Sequence, residues 1–187
     1  GHGVLQALTK IDDEHHILIL MGDCPLIQDE TLRKFIHSTP PNALGFISTI
    51  LEQPYGYGRV VRNNQGQIFN IVEQKDASLD EKNIKEVNSG IYLVPAKYLK
   101  KWLPLLNNHN QQNEYLLTDI FKFAKHEEIQ IFAYHLEESK EVQGVNDREQ
   151  LAKAERYFQK RLIKSYMLQG ATFCDPERID IRGQLNL

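Results

Sequence analysis

The chain has 187 residues, of which 41% are hydrophobic and 25% charged, as in an ordinary globular domain with one core. A net charge of −3 argues against a general nucleic-acid binder, since no basic excess is present to displace counterions. No apolar run approaches the roughly 20 residues of a membrane span. Two distant cysteines form neither a disulfide framework nor a zinc site. We therefore expect a cytoplasmic protein with reduced thiols, whose partners include neither nucleic acid nor a membrane.

The N-terminal third alternates helical and strand-like segments. Residues 3–9 have the pattern of a short helix, and the apolar run 16–21 predicts a strand covered on both faces, as in a parallel sheet. "QDETLRKFIHS" predicts a helix with Asp29 as its N-cap. Residues 43–51 predict a second strand. Strand, helix and strand with short links are typical of an α/β domain.

The middle of the chain predicts an antiparallel unit. "GRVVRNNQGQIFNIVEQ" is typical of two strands joined by a turn at residues 63–66. "SLDEKNIK" is interpreted as a charged loop, and residues 86–94 as a third strand. Two helices follow, the first with Pro95 at its first helical position, and then a strand at 129–136.

The C-terminal part predicts one long helix. Asn146 or Asp147 can cap it, and Gly170 stands where a helix-terminating glycine belongs. The remaining residues, 171–187, are strand-and-turn material. They are too short for a domain and have the pattern of the opening of one.

Asp23 is the first candidate for chemistry. It follows the buried strand directly, in "MGDCPL", and ligands of open α/β sheets bind beyond the carboxyl ends of strands. A carboxylate there can hold Mg²⁺, which prefers hard oxygen ligands. Gly-Asp is also a common turn pair in which the carboxylate accepts a hydrogen bond from its own backbone. The four residues Gly22-Asp23-Cys24-Pro25 alone leave these two interpretations equally favoured.

Other polar positions are ambiguous when taken singly. Gly58, in "YGYGRVV", precedes a strand instead of a helix, so a structural turn is favoured over a phosphate loop. Glu73 and Asn88 stand at strand edges, where a carboxylate and a carboxamide suit a polyol carrying an amide. Taken alone, they are interpreted as ordinary polar residues at loop edges. Asn146 is either a helix cap or a source of a metal-binding oxygen.

The order of these segments carries more information than any one of them. "GHGVLQAL", "MGDCPLIQDETL", "PYGYGRVVRNNQGQIFNIVEQKDA", "EVNSGIYLV", "NEYLLTDI", "EVQGVNDREQL" and "DPERIDIRGQL" follow one another along the chain. In this order they resemble the bacterial bifunctional N-acetylglucosamine-1-phosphate uridyltransferase/glucosamine-1-phosphate N-acetyltransferase. The resemblance spans essentially the whole chain.

The resemblance implies a Rossmann-like nucleotide-diphospho-sugar transferase fold, a mixed sheet flanked by helices. It implies that UTP and N-acetylglucosamine 1-phosphate give UDP-N-acetylglucosamine and pyrophosphate, with Mg²⁺ as cofactor, in the synthesis of cell-wall precursors. By the family pattern, Asp23 and Asn146 are the metal ligands. The family pattern assigns the following residues to the substrate: Gly58, Glu73, Asn88, Glu114 and Thr118.

The resemblance also implies a truncated domain at 1–148, a linker helix at 149–170 and the start of a left-handed β-helical acetyltransferase domain at 171–187. The family's Gly-rich loop with its Arg and Lys, which cradles the triphosphate, has no counterpart in the sequence. We therefore expect the chain alone to have little activity and to lack the domain through which the family forms trimers.

Two alternatives stay open at this point. The first is a sugar-1-phosphate nucleotidyltransferase with another base or sugar, because the segment that reads the base lies largely outside the matched motifs. The second is a non-catalytic module that binds nucleotide-sugars.

Overall fold

A computed structural model describes residues 1–8, 11–108 and 113–186. A six-stranded mixed sheet, with helices on both faces, forms its centre. The elements in chain order are α1 His2–Ala7, β1 His16–Ile19, α2 Asp29–Ser38, β2 Leu44–Ile50, β3 Gly58–Arg62, β4 Ile68–Val72, α3 Leu79–Lys82, β5 Glu86–Pro95, α4 Ala96–Trp102, α5 Ile120–His126, β6 Ile131–Leu136 and α6 Arg148–Leu168.

Strand β5 is the hub of the sheet. On one side it pairs antiparallel with β2, which continues in parallel to β6. On its other side β5 has two neighbours placed end to end, β1 and β3, and β3 forms the predicted hairpin with β4. Strands β1 and β2 both run antiparallel to β5 and are therefore parallel to each other, with β5 between them.

Alternation along β5 produces a core on each face of the sheet. Tyr92 and Val94 belong to a cluster that includes residues of α4 and α5, such as Trp102 and Phe121. The intervening Ile91 and Leu93 pack in a second cluster with Phe35 of α2. Because successive strand side chains point to opposite faces, one strand serves both cores.

The prediction for residues 16–21 was wrong in two respects. β1 runs antiparallel to its partner, and its burial is only partial. Leu20 and Met21 lie beyond the strand and are 46% and 45% exposed. These last residues of the apolar run line a cavity instead of pairing in the sheet.

The helix ends also differ from the prediction in detail. Gln28, not Asp29, is the N-cap of α2; Asp29 begins the helix and pairs with Arg33, at 2.7 Å from Oδ2 to Nε. Pro95 ends β5 and is the N-cap residue of α4, one position before the predicted site. Asp147 caps α6, since its side chain accepts a hydrogen bond from the N–H of Gln150. Asn146 is therefore not the capping residue of α6.

Two further elements were assigned differently. The charged segment at 78–83 contains the short helix α3, because Ser78 and Glu81 form a reciprocal capping box. The second of the two helices predicted after β5, at 114–128, is instead a 3₁₀ turn, Leu117–Asp119, followed by the shorter helix α5. Within the described ranges, no helix is both long and apolar enough to cross a bilayer.

Candidate functional site

The sheet is split along one side of β5, and the split forms a cavity. β1 ends with Ile19 opposite Tyr92, and β3 begins with Gly58 opposite Asn88. On that side, residues 89–91 have no strand neighbour among the described residues. The loops that leave β1 and enter β3 therefore converge at this gap, together with the loop before α6.

The cavity has a volume of about 550 Å³. Six of the seven residues assigned to the site by the family pattern line this cavity, although they come from five of the quoted motif segments. These six are Asp23, Gly58, Glu73, Asn88, Thr118 and Asn146. Glu114 is not one of the lining residues, but its charge lies close enough to Glu73 to contribute to the raised pKa of that carboxyl group.

One end of the cavity is built around Gly144. A carbon atom added at Gly144 would stand 3.3 Å from Asp23 Oδ2 and 3.9 Å from Asn146 Nδ2. The two side chains therefore face one small space, which a larger residue at 144 would fill. The N–H of Val145 donates to the carbonyl of Asp23 at 2.9 Å and joins the two loops directly.

This end suits a hard divalent cation. It offers a carboxylate and a carboxamide, and Mg²⁺ takes few protein ligands and fills its remaining positions with water and phosphate oxygens. In the part of the chain that the structure describes, no three His, Cys, Asp or Glu side chains are grouped to hold a metal. A cation here would have these two side chains as protein ligands and would take its remaining ligands from water or phosphate oxygens.

A buried carboxylate outside the cavity also connects the loop that follows Asp23 with the loop that precedes Asn146. Glu141, 3% exposed, lies five residues before Asn146. It accepts hydrogen bonds from the backbone N–H of Gln28 at 3.1 Å, from Gln28 Nε2 at 2.6 Å and from Thr31 Oγ1 at 2.7 Å. Since Gln28 and Thr31 begin α2, the carboxylate ties the loop after Asp23 to the loop before Asn146.

The loop before β3 forms another wall. Tyr57 Oη accepts a hydrogen bond from the N–H of Gly144 at 3.3 Å, and burial raises the pKa of this tyrosine. Arg59, 2% exposed, donates to the carbonyl of Tyr57 and, at 2.5 Å, to Gln74 Oε1. A buried guanidinium thus holds the loop in place, and burial lowers its pKa.

The opposite end of the cavity carries a carboxylate. Glu73 accepts a hydrogen bond from Thr118 Oγ1 at 2.9 Å. Burial raises the pKa of Glu73, and so do the nearby charges of Asp76, Asp119 and Glu114, against the opposing effect of the Thr118 bond. A carbon added at Gly58 would lie 3.5 Å from Glu73 Oε2, so the glycine leaves the carboxylate accessible.

Asn88 is held by its own strand. Its Nδ2 donates to Tyr92 Oη at 2.7 Å, and its Oδ1 accepts from the N–H of Gly90 at 3.2 Å. Gly90 has a φ of +83°, a left-handed conformation that favours glycine, and its Cα faces Met21. Asn88 and Met21 both line the cavity beside this kink in β5.

Cys24 has no role at this site that the geometry supports. It is 7% exposed, as expected for a small buried thiol, and its Sγ lies 3.6 Å from the carbonyl oxygen of Val142. Burial and the adjacent Asp23 carboxylate raise its pKa to about 11. At neutral pH such a thiol is almost entirely un-ionised, whereas the thiolate is the form that acts as a nucleophile or a metal ligand.

Sequence reasoning missed four residues of this arrangement. Tyr57, Tyr92, Glu141 and Gly144 act through contacts between segments that are distant in sequence. Only Gly144 carried a local signal, a glycine two positions before a polar residue at a helix start.

Comparisons with known proteins give relatives in sequence and a likeness in fold. No family model matches the chain. It is 46% identical over 184 residues to the bifunctional protein GlmU of Coxiella burnetii, which covers 98% of the chain and 40% of that protein. The GlmU of Marinobacter nauticus is 43% identical over 187 residues, covering 100% and 41%. The GlmU of Legionella pneumophila is 45% identical over 190 residues, covering 99% and 41%.

The chain therefore spans about 40% of the length of these curated relatives. Among solved structures, it is similar to one from Bacillus anthracis described as a glucose-1-phosphate thymidylyltransferase. That similarity has a TM-score of 0.57 at 13% identity and covers 94% of this chain and 63% of the other. At this identity the likeness establishes the fold alone, a Rossmann-like α/β sheet.

Proposed function

Since the chain belongs to the family of bifunctional GlmU proteins, we propose that it carries the metal-binding and sugar-binding part of a uridyltransferase site. The observation that supports this most strongly is spatial. Six residues from five segments, chosen by motif alone, line one cavity at the split of the sheet. Polar residues of unrelated turns have no reason to converge in this way.

The proposed reaction is the formation of UDP-N-acetylglucosamine. A phosphate oxygen of N-acetylglucosamine 1-phosphate attacks the α-phosphorus of UTP. The new P–O bond forms as the bond to the β-phosphate breaks, and pyrophosphate leaves. The protein's task is to position the two phosphates in line and to stabilise the charge on them.

Asp23 and Asn146 would hold Mg²⁺, which when bound neutralises phosphate charge and aligns the phosphates. Asp23 supplies the formal negative charge, and Asn146 supplies a carbonyl oxygen without adding a second charge. This balance leaves the cation electropositive enough to attract phosphates. The loops behind both residues are joined by Val145 and Glu141, so their spacing is fixed before substrate binds.

Glu73, Thr118 and Asn88 would bind the sugar. Glu73 accepts hydrogen bonds from sugar hydroxyls, and its bond to Thr118 sets the direction of its carboxylate. Gly58 permits close approach of the ligand beside that carboxylate. Glu114 is assigned to the same pocket by family pattern, and its charge acts on Glu73.

Further parts of the proposal concern the organisation of the protein. We assign residues 1–148 to the uridyltransferase domain, 149–170 to a linker helix and 171–187 to the start of an acetyltransferase domain. We also propose that the protein is cytoplasmic, that it forms trimers through the acetyltransferase domain, and that it takes part in cell-wall precursor synthesis. α6, at Arg148–Leu168, is the helix that this proposal assigns to the linker.

We expect the isolated 187-residue chain to turn over slowly. Among the described residues, no Lys or Arg side chain lines the cavity, so few groups are available to neutralise a triphosphate. The functional test therefore uses the gene product that contains the chain.

The test is release of pyrophosphate from UTP in the presence of N-acetylglucosamine 1-phosphate and Mg²⁺. We expect release that needs both substrates. A preference for dTTP or for glucose 1-phosphate would indicate another sugar nucleotidyltransferase. Tight binding of UDP-N-acetylglucosamine without turnover would indicate a non-catalytic module. Either result would overturn the proposal.

A further inference from the structure

The carboxamide of Asn88 has half of its hydrogen-bonding capacity already engaged. It has two N–H donors and two lone pairs on its oxygen. One N–H is donated to Tyr92 Oη at 2.7 Å, and one lone pair accepts from the N–H of Gly90 at 3.2 Å. Among the described residues the structure shows no further side-chain partner of Asn88, and because Asn88 lines the cavity, its second N–H and second lone pair are placed to meet a ligand.

Tyr92 is fixed more firmly than the residue it holds. It is 3% exposed, its backbone lies in β5 opposite Ile19 and Phe46, and its ring packs edge-on against Phe121 at 6.0 Å between centroids. Burial raises its pKa, so the hydroxyl stays protonated. The hydroxyl oxygen therefore presents a fixed acceptor to Asn88, and Tyr92 also lines the cavity itself.

The remaining donor and acceptor of Asn88 suit the acyl arm of a secondary amide. Because a secondary amide is trans, its C=O and N–H point in opposite directions, so either the acyl C=O accepts the free N–H of Asn88 or the amide N–H donates to the free lone pair. A hydroxyl can also donate and accept, but its oxygen is attached directly to the sugar ring and lies closer to the ring than an acyl oxygen, so a carboxamide fixed at the depth of the acyl group does not reach it. Such a difference at a buried polar site discriminates between substrates.

We propose that Tyr92 is a positioning residue that locks the Asn88 carboxamide so that the site selects an N-acylated amino sugar. The proposal rests on the proposed function, because it assumes that a sugar phosphate binds in this cavity. Nothing in the sequence pattern assigns Tyr92 a role. Its contribution arises from its place four residues after Asn88, across the kink at Gly90.

The first expectation concerns selectivity. Tyr92→Phe keeps the ring and removes the hydroxyl, which frees the Asn88 carboxamide to rotate. The ratio of kcat/KM for N-acetylglucosamine 1-phosphate to that for glucose 1-phosphate should fall about three- to tenfold, the effect of one hydrogen bond. The change should lie in the KM for the sugar phosphate, with the KM for UTP unaltered.

A matched control and a double variant separate positioning from general stability. Tyr134→Phe removes a tyrosine hydroxyl outside the cavity and should leave the ratio unchanged. In the Asn88→Ala background, Tyr92→Phe should cause no further loss of selectivity. A purely structural role predicts the same added loss in both backgrounds, so the cycle isolates the coupling.

The assay uses the gene product that contains the chain, with thermal melting to establish that each variant is folded. If Tyr92→Phe lowers the melting temperature below that of the assay, the ratio is measured for both proteins at a lower temperature at which the variant is folded. An unchanged ratio in a folded variant, with wild-type turnover intact, would overturn this inference alone. If the wild type does not use N-acetylglucosamine 1-phosphate at all, the proposed function fails and this inference fails with it.

Discussion

Gln28 N and Glu141 Oε2 are 3.1 Å apart, and this hydrogen bond joins two loops that are more than a hundred residues apart in sequence. One loop carries Asp23 and the other Asn146. Gln28 Nε2 also donates to Glu141 Oε1, so the carboxylate binds Gln28 in a bidentate manner. The pair of proposed metal ligands is therefore held together by a carboxylate that has no direct part in the site.

Removal of this carboxylate should be costly. Glu141→Ala leaves the donors of Gln28 and Thr31 without their acceptor in a buried place, and we expect a loss of about 2–4 kcal/mol in the free energy of unfolding. Glu137→Ala, at an exposed position on the same loop, is the control and should change it little. Urea denaturation measures both, and equal effects would contradict the role given to Glu141.

Glu73 should destabilise the unliganded fold at neutral pH. Its folded pKa is raised by burial and by neighbouring carboxylates, so the protonated form is the one that folding favours. The favourable contribution is complete below the unfolded pKa, near 4.5, and is lost as the pH rises through the higher folded pKa. Glu73→Gln should therefore raise the melting temperature at pH 7 while it weakens sugar binding.

The matched control for this experiment is the pH dependence of the same variant. At about pH 4, below the unfolded pKa, the stabilising effect of Glu73→Gln should largely disappear. A melting temperature that falls at pH 7, or a gain that is the same at both pH values, would contradict the assignment.

An added side chain at Gly90 should destabilise the fold. At φ +83°, alanine costs about 1–2 kcal/mol, and its Cβ would stand 2.8 Å from Met21 Cγ. Gly66 has a similar φ of +77° but open space around it, so Gly66→Ala isolates the backbone cost. We expect Gly90→Ala to be the more destabilising of the two by chemical denaturation; equal losses would mean that Met21 moves aside freely.

The two cysteines should differ sharply in reactivity. Cys174 is exposed, whereas Cys24 is buried with a pKa raised to about 11. At pH 8, three units lower, only about one Cys24 thiol in a thousand is ionised. Mass spectrometry after brief treatment with iodoacetamide should find Cys174 modified and Cys24 intact, and rapid modification of Cys24 in the folded protein would refute this.

Local signals predicted much of the fold. The β3–β4 hairpin follows from strand residues around an Asn-Asn-Gln-Gly turn, and α6 from its apolar spacing and the following Gly170. The direction of β1 could not be predicted in this way, because an apolar run indicates that a strand is buried but does not identify the strand it pairs with. Its partner β5 comes about 70 residues later, and the split beside Gly90 was invisible in either strand alone.

The candidate site was predictable to the extent that motifs mark it. Asp23 and Asn146 each had an ordinary explanation as a turn or cap residue, and only their joint position around Gly144 distinguishes them. The bonds from Tyr92 to Asn88 and from Glu141 to Gln28 depend on packing and register. Such contacts between segments leave no pattern in a single sequence.

The most direct measurement is the Mg²⁺ dependence of UDP-N-acetylglucosamine binding, by isothermal titration calorimetry on the gene product that contains the chain. With the wild type, we expect binding that strengthens as Mg²⁺ is added. With folded Asp23→Ala, this dependence should be lost while the melting temperature stays close to that of the wild type. Absence of binding by the wild type, or an unchanged Mg²⁺ dependence in Asp23→Ala, would contradict the assignment of this cavity as a metal-assisted nucleotide-sugar site.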